Sequence, residues 1–160
     1  MATRKEPCLW SEIAAGAIGG LAGSFVMGLA NMRLSKALGS KAHGGPQDAT
    51  VLTAERLLGR ELPNQQKSMA GQIVHYAFGT AVGALYGAAS AMGCPARSGA
   101  GTAFGAAVYV GAHGIAVPRL GLAESPLDVP LVDEAVELIS HLVYGVVTEG
   151  VRRAVTATVS

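Results

Sequence analysis

Long segments without charged residues constrain the fold of this chain more than any other feature. Ile13–Met32 contains no Asp, Glu, Lys or Arg, and Met69–Pro118 contains one charged residue, Arg97, in fifty positions. A helix needs about 20 mostly apolar residues to cross the hydrocarbon core of a bilayer. The first segment is therefore long enough for one membrane span. The second is long enough for two, because Pro95 and Gly99 mark a turn near its middle.

The composition of the chain favours the same class of protein. Hydrophobic residues make up 50% of the 160 positions and charged residues 14%, whereas charged residues usually make up about 25% of a soluble domain. A water-soluble bundle would have too little polar surface to cover three such apolar helices, so that alternative is less favoured. The net charge is +1, with both signs scattered along the chain, which argues against nucleic acid as a partner.

We predict an all-α integral membrane protein, a four-helix bundle that forms a single domain over residues 1–160. The predicted spans cover about residues 13–32, 71–92, 98–117 and 135–151, and a polar connection covers residues 33–68. An alternative for the first span is a signal peptide, because Arg4 and Lys5 precede it. Its apolar run of about 20 residues exceeds the usual 7 to 15 of a signal peptide, so a retained span is favoured.

The connections between the spans carry many of the polar residues. Residues 50–63 place apolar side chains at helical spacing, which predicts a short amphipathic helix at the membrane surface or docked on the bundle. Residues 118–134 contain three prolines and are predicted to form an ordered loop. At the far end of the last span, we expect Glu149 to pair with Arg152 or Arg153 in a structural role.

Glycines recur at helical spacing within the predicted spans. In lipid, small residues at intervals of four let helix backbones approach closely and gain dispersion contacts. We therefore predict that these glycines form the helix–helix contacts of the bundle. They are Gly16 and Gly20 in the first span, Gly79, Gly83 and Gly87 in the second, Gly101 and Gly105 in the third, and Gly145 in the fourth.

Histidines continue the helix faces that the glycines mark. Steps of four residues along each glycine face lead to one histidine in each of the second, third and fourth spans. Because neighbouring spans run antiparallel, these histidines are expected at one depth in the bilayer, together with two other polar residues. We therefore predict a polar layer in one leaflet. Its members are Asn31, His75, His113, Glu137 and His141.

The predicted polar layer has three interpretations. Polar side chains inside a membrane bundle often hydrogen-bond neighbouring helices and hold them together. Ionisable groups inside a span also mark proton or ion pathways. In addition, His75, His113, His141 and Glu137 are an acceptable ligand set for zinc or a similar metal, and two histidines on facing helices can bind haem. The first interpretation is favoured, so we predict no bound cofactor.

Four motifs together resemble a known family. They are a Gly-rich first span, HYAFGTAVGALYG in the second span, VGAHGIAVPRLGL near the end of the third, and ELISHLVYGVVTEGVRR in the fourth. From about Ile13 to Arg153, the chain is similar to the YagU-like family of small bacterial inner-membrane proteins. This resemblance implies a multi-pass protein of the bacterial inner (cytoplasmic) membrane. It implies no particular activity and no catalytic residues.

The expected function follows from this architecture. No nucleophile, base and orienting group occur at a recognisable spacing, so we expect no enzyme. We expect a structural or accessory component of the membrane, whose partners are the lipid bilayer and either other membrane subunits or further copies of itself. A proton- or ion-handling protein that uses the polar layer is the alternative.

Overall fold

The described residues of the chain are helical and contain no strand, which confirms the all-α prediction for them. The computed structural model describes residues 9–40, 46–93, 99–122 and 129–159. The helices are α1 (Leu9–Leu38), α2 (Pro46–Leu58), α3 (Asn64–Ala91), α4 (Thr102–Val108), α5 (Val117–Arg119) and α6 (Leu131–Val159). A π-helical segment, Tyr109–Ala116, joins α4 to α5 without a break.

The long helices extend beyond most of the predicted span ends. Helix α1 has 30 residues, α3 has 28 and α6 has 29, so each is about 40 to 45 Å long. Hydropathy finds only the apolar part of a helix, and these helices continue into polar residues. Most of the predicted turn at residues 94–99 lies outside the described residues, as do residues 41–45 of the polar connection.

The predicted loop at residues 118–134 is partly helical in the structure. Pro118 lies in the first turn of α5, and Pro130 comes directly before α6, which begins at Leu131 instead of near residue 135. Proline is tolerated in the first turn of a helix because the N–H groups there have no partner within the helix. Pro130 therefore precedes the first turn of α6, and Pro118 lies near the end of the continuous helical run over residues 102–119, whereas we had expected both prolines to exclude helix.

The predicted amphipathic helix is present as α2, and it packs against α3. The guanidinium of Arg56 donates from Nη1 to the carbonyl oxygen of Leu120 at 2.5 Å and from Nη2 to that of Gly121 at 3.3 Å. After α2, the carboxylate of Glu55 accepts the backbone N–H of Leu62 at 2.9 Å. The Arg56 contacts hold α2 against the segment that follows α5, and the Glu55 contact fixes the connection between α2 and α3.

Helices α1 and α3 contact each other through their backbones. A Cβ atom added at Gly16 or Gly20 would overlap backbone atoms of α3. In the opposite direction, a Cβ atom added at Gly83 or Gly87 would overlap backbone atoms of α1. The absence of side chains at these four positions therefore sets how closely the two helices approach.

Helices α4 and α6 form a second close pair. A Cβ atom at Gly105 would overlap the backbone at His141, and one at Gly145 would overlap the backbone at Gly101 and Gly105. Gly101 also has a φ of 97°, a left-handed conformation that favours glycine over other residues. Glycine at position 101 therefore allows both the left-handed conformation before α4 and the close contact with α6.

Helix α1 has a second glycine face, directed at α6. A Cβ atom at Gly19 would lie 2.5 Å from the carbonyl oxygen of Thr148, and one at Gly23 would lie 2.9 Å from the ring of Tyr144. Gly79 of α3 faces the hydroxyl group of Ser24 on the other side of α1. Helix α1 is therefore packed closely between α3 and α6.

A mostly aromatic core joins α1, α3, α4 and α6. It contains Met27 from α1, Tyr86 from α3, Phe104 from α4 and Tyr144 from α6. The rings of Tyr86 and Phe104 stack with their centroids 4.1 Å apart, and the ring of Phe104 lies 5.6 Å from that of Tyr144. All four segments therefore meet at one place.

Two helices among the described residues are long and apolar enough to cross a membrane. They are Leu9–Leu38 and the helical run Gly99–Arg119. Helix α6 is equally long, but it carries six Asp, Glu and Arg side chains. By length and composition alone, two of the four predicted spans are therefore supported.

Candidate functional site

The first part of the polar layer links α1 to α6. The side-chain amide of Asn31 donates from Nδ2 to Oε1 of Glu137 at 2.8 Å. The other carboxylate oxygen of Glu137, Oε2, is buried, has no hydrogen-bond partner among the described residues and lies 4.0 Å from Nδ1 of His141. That nitrogen also lies 2.8 Å from the backbone carbonyl oxygen of Glu137, one helical turn earlier. The structure thus brings these three predicted members into contact.

The second part of the layer is built on the π-helical segment and the first turn of α6. Nε2 of His113 lies 3.1 Å from Oε1 of Glu134, and the hydroxyl group of Tyr109 donates to the other oxygen of that carboxylate. The ring centroid of His113 lies 5.4 Å from that of Tyr109 and 6.1 Å from that of His141. Glu134 was missed because residues 118–134 were predicted to form a loop.

The π-helical segment carries the residues through which the third predicted span contacts this layer. A π-helix has a wider turn than an α-helix and is often found at functional sites. Here it carries both Tyr109 and His113, and each side chain reaches the carboxylate of Glu134 on α6. The wider turn therefore coincides with the contact between this segment and α6.

His75 is held differently from the other predicted members. Its Nε2 atom lies 3.2 Å from the backbone carbonyl oxygen of Ser24 on α1, and its ring lies 5.4 Å from that of Tyr76. It shares a cavity with His113 and His141, although its hydrogen bond does not go to another member of the layer. The structure therefore places His75 beside the polar layer.

The metal interpretation finds no matching geometry in the described ranges. Within residues 9–40, 46–93, 99–122 and 129–159, no three His, Cys, Asp or Glu side chains are arranged to hold a metal ion. The rings of His113 and His141 are near each other, but their hydrogen bonds go to Glu134 and to a backbone carbonyl. Metal binding by His75, His113, His141 and Glu137 stays only an alternative interpretation of the polar layer.

A cavity of about 440 Å³ lies beside the polar layer. It is bounded by residues of α1, α2, α3, the π-helical segment and α6. Most of its walls are apolar, and the three histidines lie on them. Representative wall residues are Met27, Val74, Phe78, Val108, Leu120 and Tyr144. A volume of about 300 to 1,000 Å³ is typical of sites for small molecules.

A second polar cluster is buried at the opposite end of the helices. Arg152 donates from Nε to Oε2 of Glu149 at 2.7 Å and from Nη1 to Oε2 of Glu12 at 2.5 Å. The hydroxyl group of Tyr86 also donates to Glu149 at 2.9 Å, and Arg153 donates to it at 2.5 Å. We had expected Glu149 to pair with Arg152 or Arg153, and it pairs with both, but the role of Glu12 had not been foreseen.

The family of the chain is shown by comparison with known families. A family model described as "Protein of unknown function (DUF1440)" matches residues 54–150, which is more than half of the chain. The chain belongs to the DUF1440 family. Comparisons with curated proteins and with solved structures give no match. The resemblance to the YagU-like family is thus supported only as membership of a family of unknown function.

The DUF1440 match contains most of the candidate site. It includes His75, His113, Glu137 and His141, while Asn31 lies before it. The matched segment therefore supplies all three imidazoles of the cavity, and α1 supplies the asparagine that binds Glu137.

Proposed function

We propose that this DUF1440 protein is a multi-pass membrane protein of four spans, and that it serves as a structural or accessory component without enzymatic activity. The observation that carries this proposal is an inverted distribution of polar and apolar side chains. Large apolar side chains cover the outside of the long helices, and charged side chains fill part of the inside. Soluble proteins show the opposite arrangement of charged residues.

The outer faces of the helices are strongly apolar. Phe25 on α1 is 56% exposed and Leu85 on α3 is 70% exposed. In contrast, Glu149 and Arg152 on α6 are each 1% exposed. In lipid this arrangement is favourable, because hydrocarbon surrounds the apolar side chains and the charged groups pair with each other inside. In water it would expose apolar surface and also bury charges.

Four spans are proposed because α3 and α6 pack along α1 over its length. Glu12, near the start of α1, contacts Arg152 near the end of α6, and Asn31, near the end of α1, contacts Glu137 near the start of α6. If α1 crosses the bilayer, the helices that match it from end to end cross it as well. Helix α2 would then lie at the membrane surface, and the family resemblance favours the bacterial inner membrane.

Cysteine labelling in membranes tests the proposed spans. After Cys8 and Cys94 are replaced, single cysteines at Phe25, Leu85 and Val146 should resist a membrane-impermeant maleimide until detergent is added. A cysteine at Arg60, which follows α2, should react in open membranes without detergent. Rapid labelling of all four positions, or release of the protein from membranes by alkaline carbonate, would contradict the proposal.

An accessory role predicts a heavier assembly in native membranes than after purification. The polar groups of the interior bond each other, so they need no partner protein. The apolar outer faces support an accessory role, because they leave surface to which helices of partner proteins can bind in the membrane. Native electrophoresis of gently solubilised membranes should show a larger mass than the purified protein has alone. Equal masses would indicate a free-standing protein.

Proton or ion handling is the second candidate, and one observation favours it. Tyr109, Glu134 and His113 are joined by hydrogen bonds, and the ring of His141 lies beside them at the cavity wall. Histidine changes charge near neutral pH and serves in proton relays. Proton flux into vesicles between about pH 5 and 8 should fall in His113→Gln if this relay operates. Flux equal to that of empty vesicles would exclude it.

A further inference from the structure

The imidazoles in the cavity each use one ring nitrogen in a hydrogen bond. Nδ1 of His141 lies 2.8 Å from the carbonyl oxygen of Glu137, and Nε2 of His75 lies 3.2 Å from that of Ser24. A carbonyl oxygen only accepts hydrogen bonds, so these two nitrogens carry the hydrogen. A neutral imidazole has a single N–H group. In the neutral form of each histidine, the second ring nitrogen is therefore a hydrogen-bond acceptor.

The third imidazole follows the same pattern. Nε2 of His113 lies 3.1 Å from a carboxylate oxygen of Glu134, which accepts its hydrogen and leaves Nδ1 as the acceptor. In contrast, the hydroxyl groups of Ser24, Thr53 and Tyr144 on the cavity wall already donate to backbone carbonyl oxygens. The three imidazoles of the cavity therefore each present an acceptor nitrogen that needs a donor.

We propose that this cavity binds a small, largely apolar molecule that carries a hydroxyl group, and that the hydroxyl donates to Nε2 of His141. Among the three histidines, His141 is the one in the buried class, with 7% of its surface exposed. An acceptor beside an apolar wall is unfavourable while it lacks a donor, and the same wall favours an apolar ligand body. A carboxylate ligand would bring further acceptors toward the imidazoles and does not fit.

This inference goes beyond an accessory role, and it does not depend on whether lipid or water surrounds the helices. The hydroxyl could belong to a phenol or to an aliphatic alcohol, because both present the same donor. Suitable probes are para-octylphenol and decanol, each compared with its own methyl ether. The ether keeps the apolar body and removes only the O–H group.

Binding is measured with radiolabelled probes and the full-length protein in nanodiscs, after subtraction of binding to empty nanodiscs. At least one of the two alcohols should bind saturably and about tenfold more tightly than its ether. The alcohol donates a hydrogen bond to the imidazole, whereas the ether cannot. The alcohol that shows this difference identifies the ligand as aromatic or aliphatic. Equal binding of alcohol and ether for both probes would overturn the proposal.

Two variants locate the binding site. His141→Asn retains an N–H group for the carbonyl oxygen of Glu137 but has no acceptor at the position of Nε2, because its amide oxygen and nitrogen share one carbon, so affinity for the alcohol should fall about tenfold. Gly111→Leu should abolish binding, because Gly111 lines the cavity and a Cβ atom added there meets open space. The matched control is Gly28→Leu, which also meets open space but lies outside the cavity.

The variants Gly111→Leu and Gly28→Leu keep the proposal testable if His141→Asn does not fold. Loss of binding in Gly111→Leu, with normal binding in Gly28→Leu, supports the cavity as the site. Unchanged binding in Gly111→Leu contradicts it. The labelling experiment on the membrane spans has a separate readout, so failure of one proposal does not imply failure of the other.

Discussion

Nη1 of Arg152 and Oε2 of Glu12 lie 2.5 Å apart, although 140 residues separate them in sequence. Arg152 is 1% exposed and Glu12 is 5% exposed, so neither charge is well hydrated. A buried charge that loses its partner is strongly destabilising, because no water replaces the missing contact. This pair therefore fixes the position of α1 against α6 at one end of the helices.

Replacing Arg152 should destabilise the protein severely. Arg152→Met leaves both Glu12 and Glu149 buried without their main partner, and we expect a loss of about 3 to 5 kcal/mol in the free energy of unfolding. Arg153→Met is the matched control, because Arg153 contacts the same Glu149 with a side chain that is 56% exposed. Its loss should be below about 1 kcal/mol. Unfolding in SDS measures both, and equal losses would contradict this account.

A methyl group at the contact between α1 and α3 should be poorly tolerated. In Gly83→Ala, the added Cβ atom would overlap the backbone at Gly16 and Gly20, and we expect a loss of about 1 to 3 kcal/mol or more. Gly28→Ala lies on α1 where a Cβ atom meets open space, so it should be neutral or slightly stabilising. The melting temperatures of both variants in detergent provide the measurement. Equal melting temperatures would show that the helices separate easily.

Asn31 and Glu137 should be energetically coupled. A double-mutant cycle with Asn31→Leu and Glu137→Leu should give a coupling energy of about 0.5 to 2 kcal/mol, because each single change leaves one polar group without its partner. The control cycle combines Asn31→Leu with Tyr86→Phe, whose hydroxyl group contacts Glu149 at the other end of the helices. That pair should be additive within about 0.5 kcal/mol. Additivity in both cycles would mean that the polar contact contributes nothing.

The attachment of α2 should weaken at low pH. The backbone N–H of Leu62 and the nearby ammonium of Lys67 lower the pKa of Glu55 below its ordinary value of 4.5. Folding therefore favours the ionised carboxylate, so its contribution is complete above pH 4.5 and is lost as the pH falls through the lowered pKa. Hydrogen exchange should show less protection of the Leu62 amide at about pH 3 than at pH 7.

Substitution of the acidic residues checks the same contact at neutral pH. Glu55→Ala should reduce protection of the Leu62 amide at neutral pH, because the acceptor is gone. Glu61→Ala changes a neighbouring exposed acid and should leave protection unchanged. Similar effects of Glu55→Ala and Glu61→Ala would mean that the protection depends on the net charge of this segment and not on the hydrogen bond.

Periodic features of the sequence predicted much of the arrangement. The four-residue spacing selects Gly16, Gly20, Gly83 and Gly145, and each lies where a Cβ atom would overlap a neighbouring helix. Periodicity works here because residues four apart share a helix face. The four-residue spacing did not identify Gly19, which lies on a second face of α1. The spacing along one helix does not show how many neighbouring helices pack against it.

Contacts between distant residues could not be predicted in the same way. Helical spacing and bilayer depth indicated that Asn31, Glu137 and His141 lie near one another, but neither fixes which atoms bond. Glu12 was overlooked because it precedes the first uncharged segment. A closer signal was available: Arg152 comes directly after the fourth predicted span, at the depth where Glu12 precedes the first predicted span.

The contact between Glu12 and Arg152 also has a consequence for biosynthesis. A ribosome delivers Glu12 early and must add 140 further residues before its counter-charge appears. Until then, α1 carries the Glu12 carboxylate without the arginine that pairs with it in the complete protein. Any nascent chain that stalls before the last helix would carry that unmatched carboxylate.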